Sequence, residues 1–173
     1  MTTRNLNYSW ILLIMVVISS ASNVAEEIKP FTTDGCSSFP DGTMKQQTLW
    51  LNCCIKHDLA YWQGGTYDER LEADKALERC VANVGEGNLS KVMMAGVRVG
   101  GSPYFPTSFR WGYGWSFPRG YQALTVEEKQ EVKKKLNQLA ILLTQLASEI
   151  DRHSDDRLNE TDKSVNDTLD KNK

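Results

Sequence analysis

The feature that most constrains this chain is a run without Gly or Pro, Leu49 to Gln63, which carries Cys53-Cys54-Ile55-Lys56-His57-Asp58-Leu59-Ala60-Tyr61-Trp62. The run is long enough for about four helical turns. At about 100° per residue, Asn52, Lys56 and Gln63 share one side of that helix. The remaining arc is apolar apart from His57, beside Cys53 and Tyr61, and Asp58, beside Cys54 and Trp62. A titratable pair on a face destined for burial is costly without partners. Two readings stand side by side: a hydrogen-bonded core histidine with a capping or salt-bridged aspartate, or a pair that does chemistry.

A second helix bears on that choice. Tyr67 to Val84 reads as a helix entered from Gly64-Gly65-Thr66, with Thr66 as N-cap and Glu69 as its capping-box partner. Its wheel turns Glu72, Lys75, Arg79 and Ala82 outward and Ala73, Ala76, Leu77, Cys80 and Val81 inward, with Asp74 at the edge of the inward face. The short glycine link makes the two helices antiparallel. If Cys53 is bonded to Cys80, His57 lies about 6 Å along its helix from the cross-link and Asp74 about 9 Å along the other. The two side chains can then meet.

The compartment comes from the N-terminus. Met1 to Ser22 holds Arg4, an apolar run Trp10 to Ile18 and then Ser19-Ser20-Ala21-Ser22, the order of a secretory signal peptide cleaved after Ala21 or Ala25. The run is short for a membrane span. In an exported chain four cysteines read as a disulfide set with three pairings, of which the adjacent pair Cys53–Cys54 is sterically poor. Two pairings remain. A metal site is the competing reading, because Cys53 and His57 have i, i+4 spacing.

Cys-Cys-x-x-His-Asp-x-x-Tyr over residues 53–61, with Asp74 six residues before Cys80, resembles the secreted phospholipase A2 superfamily. The likeness covers roughly residues 34–84. It implies His57 as general base, Asp74 as the group that orients it, Tyr61 as a hydrogen-bonding support and Asp58 as a calcium ligand. It also implies the pairs Cys53–Cys80 and Cys36–Cys54. Three backbone carbonyls of the calcium loop complete the ligand set in that family, and anchoring on Cys36 assigns them to Gly35, Ser37 and Phe39. A backbone N–H near Ser37 would help hold the oxyanion. Calcium is a hard cation that takes six to eight oxygens, which suits such a loop. The chain departs from the family at two places. Residues 34–43 lack most of the loop glycines and contain Pro40, and Gly64-Gly65-Thr66 leaves no room for the β-hairpin between the helices. Asp34 and Asp41 either add oxygens or cap turns.

Beyond the second helix, Gly85 to Asn88 reads as a turn and Leu89 to Val99 as a short helix offering Val92, Met93, Ala95 and Val97 to the core. Tyr104 to Tyr121 holds eight of the sixteen aromatics and is broken by Gly and Pro, so it reads as an ordered loop. Its rings either wall an acyl-chain pocket, rim a lipid–water interface, or complete the core of a small domain. Arg110 and Arg119 are assigned no role. Thr125 opens a last helix with Glu128 closing a capping box. Val132, Leu136, Leu139, Leu143, Leu146 and Ile150 form a short heptad seam, in which packing on the parent domain competes with a weak homodimer through 132–150. Ile141 and Leu142 widen the stripe toward intramolecular packing. Residues 151–173 are polar and charged, the composition of a disordered tail, with His153 outside any site. Asn88, Asn159 and Asn166 open glycosylation sequons.

The 173 residues therefore divide into a signal peptide (1–22), a domain (26–124), an amphipathic helix (125–150) and a tail (151–173). The expected fold is all-α: a small disulfide-linked antiparallel two-helix core with additional helices and an aromatic-rich loop. With a net charge of −2 and no basic patch, nothing points to nucleic acid. The resemblance implies a secreted, calcium-dependent hydrolase of the sn-2 ester of glycerophospholipids, working at a membrane or micelle surface. No Gly-x-Ser-x-Gly elbow offers a serine nucleophile. Two rivals remain: a non-catalytic lipid-binding module on the same fold, and a structural domain that dimerises through its last helix. Three ionisable groups converging inside one helical pair favour the enzyme.

Overall fold

A computed structural model describes residues 26–171, with side chains to residue 157. The expected signal peptide, Met1 to Ser22, and its cleavage point lie outside the described residues. Four helices follow in order: α1 (Leu51–Gln63), α2 (Tyr67–Asn83), α3 (Gly87–Gly100) and α4 (Val126–Lys171). No strand occurs among the described residues, which are all-α. Disulfides join Cys36 to Cys54 and Cys53 to Cys80, the pairs implied by the resemblance. Each removes freedom from the unfolded chain worth on the order of 3 kcal/mol.

The capping box at Thr66 forms as its spacing predicts. Glu69 donates its N–H to Thr66 Oγ1 at 3.2 Å, and Thr66 donates its own to Glu69 Oε2 at 2.7 Å. This end of α2 fixes the direction in which the chain returns along α1. Cys53 reaches Cys80, His57 reaches Asp74 and Tyr61 reaches Arg70, so the helices run antiparallel. Two expectations for α2 and α3 need correction. Asp74 is not at the edge of the buried face but within it, in the set Arg70, Asp74, Leu77 and Val81. On α3, Met93 is buried and Val97 half-buried, while Val92 and Ala95 face out.

The C-terminal end of α1 explains the aromatic loop. The last carbonyls of a helix have no partner within it. Here Ala60 O accepts from Gly64 N, Tyr61 O from Gly112 N at 2.7 Å, Trp62 O from Gly114 N at 3.1 Å, and Gln63 O from Trp115 Nε1 at 2.7 Å. Loop and helix end approach so closely that a Cβ on Gly64 would lie 2.8 Å from Gly112 Cα. Gly64 also sits at φ +70°, where side chains other than glycine's are strained.

Two buried clusters result. Cys36, Trp50, Cys53, Cys54, Leu77, Val81 and Met93 pack around the disulfides. Ile28, Trp62, Trp115 and Val132 form the second, flanked by Phe31, Leu59, Tyr113, Leu124 and Leu136. The reading of the loop aromatics as core holds for Trp111 and Trp115, whereas Tyr104, Phe105, Phe109 and Phe117 are exposed. Arg110 is also buried, donating to the carbonyls of Gly112 and Trp115 at 2.6 Å. Arg119 lies over the Trp115 ring and pairs with Glu128. Both arginines brace the loop.

α4 departs from expectation twice. It does not stop at Ile150 but continues to Lys171, where a disordered tail was expected. No Gly or Pro interrupts 126–171, and Glu149, Arg152 and Asp156 stand at the three- and four-residue spacings that support a solvated helix. Its apolar stripe is also covered only in part. Val132 and Leu136 enter the second cluster and Leu139 is half-buried, but Leu142, Leu143, Leu146 and Ile150 are exposed. Intramolecular packing ends near Leu139. No helix among the described residues is long and apolar enough to cross a membrane.

Candidate functional site

His57 is buried on α1, and its Nε2 lies 2.9 Å from Oδ1 of Asp74 on α2. Asp74 is wholly buried. Burial works to raise its pKa, but the donors around it prevail and hold the carboxyl below its ordinary range. Those donors are His57, Arg98 Nη1 at 2.8 Å on Oδ2, and the Tyr61 hydroxyl at 2.7 Å on Oδ1. A carboxylate only accepts. His57 Nε2 therefore carries the proton and Nδ1 holds the free lone pair.

Tyr61 belongs to the same network. Its hydroxyl accepts from Arg70 Nε at 3.0 Å, and burial followed by the Asp74 charge drives its pKa well above the usual phenol range. Arg70 spends its remaining donors on the carbonyls of Val97 and Arg98 and on the Tyr121 hydroxyl. α2 thus grips the end of α3 through Arg70 while α3 grips Asp74 through Arg98. The sequence reading named neither arginine. Arg70 stands four residues before Asp74, a spacing that could have flagged it. Arg98 carries no such local signal.

Asp58 has the opposite surroundings. Its one side-chain donor is the Thr33 hydroxyl, 2.6 Å from Oδ2. Burial pushes its pKa up to about 6, against the Thr33 bond and the His57 ring, with Asp34 adding a like charge. Beside it the loop 34–43 is held from within: Cys36 N donates to Asp41 Oδ1 at 2.8 Å, Gly35 N to Thr33 Oγ1 at 3.1 Å and Ser37 Oγ to Asp34 Oδ1 at 2.9 Å. Asp41 fills the space beside Gly35, where a Cβ would lie 2.4 Å from Oδ1. Ser37 adopts φ +53°. Asp34 and Asp41 thus tie the loop. The carbonyls of Gly35, Ser37 and Phe39 accept no hydrogen bond among the described residues, nor does the N–H of Ser37 donate one.

These pieces meet at a cavity of about 420 Å³. Gly35, Ser37, Phe39, His57, Asp58 and Tyr61 line it together with Leu77, Met93, Val97, Val99 and Phe109. The structure therefore gathers His57, Asp58, Tyr61 and the three loop residues at one opening, with Asp74 behind them. No group of three or more His, Cys, Asp or Glu side chains able to hold a metal is present among the described residues. A metal here would rest on Asp58 and backbone oxygens. Cys53 is spent in its disulfide, which removes the Cys53–His57 metal reading.

The arrangement can do specific chemistry. An ionised, buried carboxylate fixes one tautomer of a histidine whose other nitrogen is free, beside a largely apolar cavity. Such a pair can accept a proton at the free nitrogen, and the cavity can take a group with an apolar part. No protein family, curated protein or solved structure matches this chain.

Proposed function

We propose that this protein is a secreted, calcium-dependent hydrolase of the phospholipase A2 type, built on a stapled pair of helices, that cleaves the sn-2 ester of glycerophospholipids at a membrane or micelle surface. The observation that carries the reading is the His57–Asp74 pair with its free Nδ1 beside an apolar cavity. His57 Nδ1 takes a proton from water as the water oxygen attacks the ester carbonyl. Asp74 keeps the ring oriented and stabilises the imidazolium that forms, which then returns the proton to the departing alkoxide. Tyr61 and Arg98 hold Asp74 in place.

The donor chemistry fits a hard cation. A part-buried carboxylate lines the same cavity as Gly35, Ser37 and Phe39, whose carbonyls accept no hydrogen bond among the described residues, and such oxygen sets suit calcium. Asp58, Gly35, Ser37 and Phe39 would hold it. When bound, it would supply Lewis-acid polarisation of the ester carbonyl and a seat for the phosphate. The free N–H of Ser37 adds a donor for the developing oxyanion.

The test is release of fatty acid from phospholipid vesicles, with calcium present and with it chelated. Release that stops on chelation is the expected result. Release that survives chelation would leave a hydrolase without the calcium step. The cavity's apolar lining also favours a second reading, a lipid-binding module without turnover. Vesicle binding with no release in either condition would select that one.

A further inference from the structure

One hydroxyl ties the front of the site together and has no part in the reaction. Thr33 Oγ1 lies 2.6 Å from Asp58 Oδ2 and 3.1 Å from the backbone N of Gly35. A carboxylate only accepts and an N–H only donates, whereas a hydroxyl carries one proton and two lone pairs. Both roles are therefore fixed: Thr33 donates to Asp58 and accepts from Gly35. The other bonds of the loop, Cys36 N to Asp41 and Ser37 to Asp34, hold it to itself. The Cys36–Cys54 disulfide fastens it to α1 one turn before Asp58, which leaves the direction of the carboxylate open.

Thr33 can set that direction because its own backbone is anchored. Ile28 is wholly buried. Lys29 donates its N–H to Gly114 O at 2.8 Å, and its carbonyl accepts from Trp62 Nε1 at 2.9 Å. Further along, the Tyr113 hydroxyl stands within hydrogen-bond reach of the carbonyls of both Thr32 and Asp58. Segment 28–33 is thus fixed against the same helix that carries Asp58.

We propose that Thr33 is a positioning residue for the cation: it holds the Asp58 carboxylate in one orientation beside Gly35 before any ion arrives. This rests on the calcium reading above. Gly35 and Asp58 supply two of the oxygens assigned to the ion, and one side chain joins them. Its bonds use neither the Gly35 carbonyl nor Asp58 Oδ1, so both stay open to a cation. A part-exposed aspartate without such a partner samples several rotamers, and having to order it weakens binding. Hydrogen-bonding partners of metal-ligating carboxylates typically contribute about 10–100-fold in affinity.

The test is equilibrium dialysis of the full chain against calcium, beside Thr33→Val and Thr33→Ser. Thr33 is exposed, so both variants should keep the circular dichroism and melting temperature of the calcium-free protein. The expected result is a calcium Kd at least about tenfold higher in Thr33→Val and near wild type in Thr33→Ser, which keeps the hydroxyl. Saturating calcium should then restore fatty-acid release by Thr33→Val, a rescue that a damaged fold would not show. Equal affinity in Thr33→Val would overturn the proposal. So would tighter binding, because the hydroxyl would then compete with the ion for Asp58. A wild type that binds no calcium would fail the calcium reading and the proposal with it, whereas a wild type that binds beside an unchanged variant removes Thr33 alone. Dialysis reads binding without turnover, so the role of Thr33 is tested even in a chain that releases no fatty acid.

Discussion

The two sides of His57 hold carboxylates in opposite circumstances. Behind the ring, Asp74 is wholly buried yet ionised, because an imidazole, a phenol and a guanidinium all donate to it. In front, Asp58 is less buried but has one hydroxyl and a neighbouring aspartate, and its pKa is pushed up to about 6. Depth alone would predict the reverse order. What sets a buried acid is its count of donors against its loss of water. A satisfied carboxylate is a fixture, whereas one raised by burial is a position where a cation would be welcome.

The difference can be tested by breaking each side in turn. Under the proposed mechanism, His57→Gln removes the base and should lower turnover by ~10²–10⁴-fold with the fold intact. Fatty-acid release by a variant with native circular dichroism reads this directly, and wild-type turnover would end the assignment. Asp74→Ala strands Arg98 and Arg70 and should cost about 3–5 kcal/mol of stability, seen in urea unfolding. A loss under 1 kcal/mol would mean that the network is slack. Arg98→Met takes one charged hydrogen bond from Asp74, and about 1.5–3 kcal/mol should follow. Turnover should fall at unchanged KM, with partial recovery in Arg98→Lys. A rise in KM alone would make Arg98 a substrate contact instead.

The smallest effect has the opposite sign. Folding raises Asp58 from its ordinary 3.8 to about 6, so between those values the folded chain binds more protons than the unfolded one. Stability therefore falls as pH rises through that window and stays lower above it. For Asp74 the folded value is depressed, and its contribution is present above the ordinary range and lost as pH falls through the folded value. Asp58→Asn should accordingly stabilise the protein by about 1–2 kcal/mol at pH 7, allowing for solvent screening of a part-exposed group, and change nothing near pH 3. It should also abolish any calcium-dependent melting shift. Thermal melts at both pH values check this, and a destabilised Asp58→Asn at pH 7 would refute it.

How much of this could be read beforehand follows the range of each interaction. The α1–α2 pair was legible because its signals are local: a wheel, a capping box and two residues out of place on an apolar face. Even there the wheel put Asp74 at an edge, since hydrophobicity gives no credit to a buried aspartate with partners. Arg98 was invisible because its contact spans twenty-four residues and depends on how α3 docks. Ile28 was missed for the same reason: its burial depends on Lys29, whose N–H donates to Gly114 O and whose carbonyl accepts from Trp62 Nε1. α4 failed in another way. Composition argued for a disordered tail after Ile150, whereas an uninterrupted run of helix-compatible residues simply continues the helix.

The capping of α1 by the aromatic loop has a consequence for how the protein is made. Gln63 and the indole that closes its carbonyl stand fifty-two residues apart. A chain that emerges from its N-terminus therefore carries the histidine's helix with an open end until Trp115 has followed it. Closing so long a loop costs entropy before any contact repays it. The end of the His57 helix is thus closed late, by residues that do not line the cavity. A chain cut short before Gly112 would keep every residue of the His57–Asp74–Arg98 network and still lack the loop N–H groups and the indole that close the end of α1.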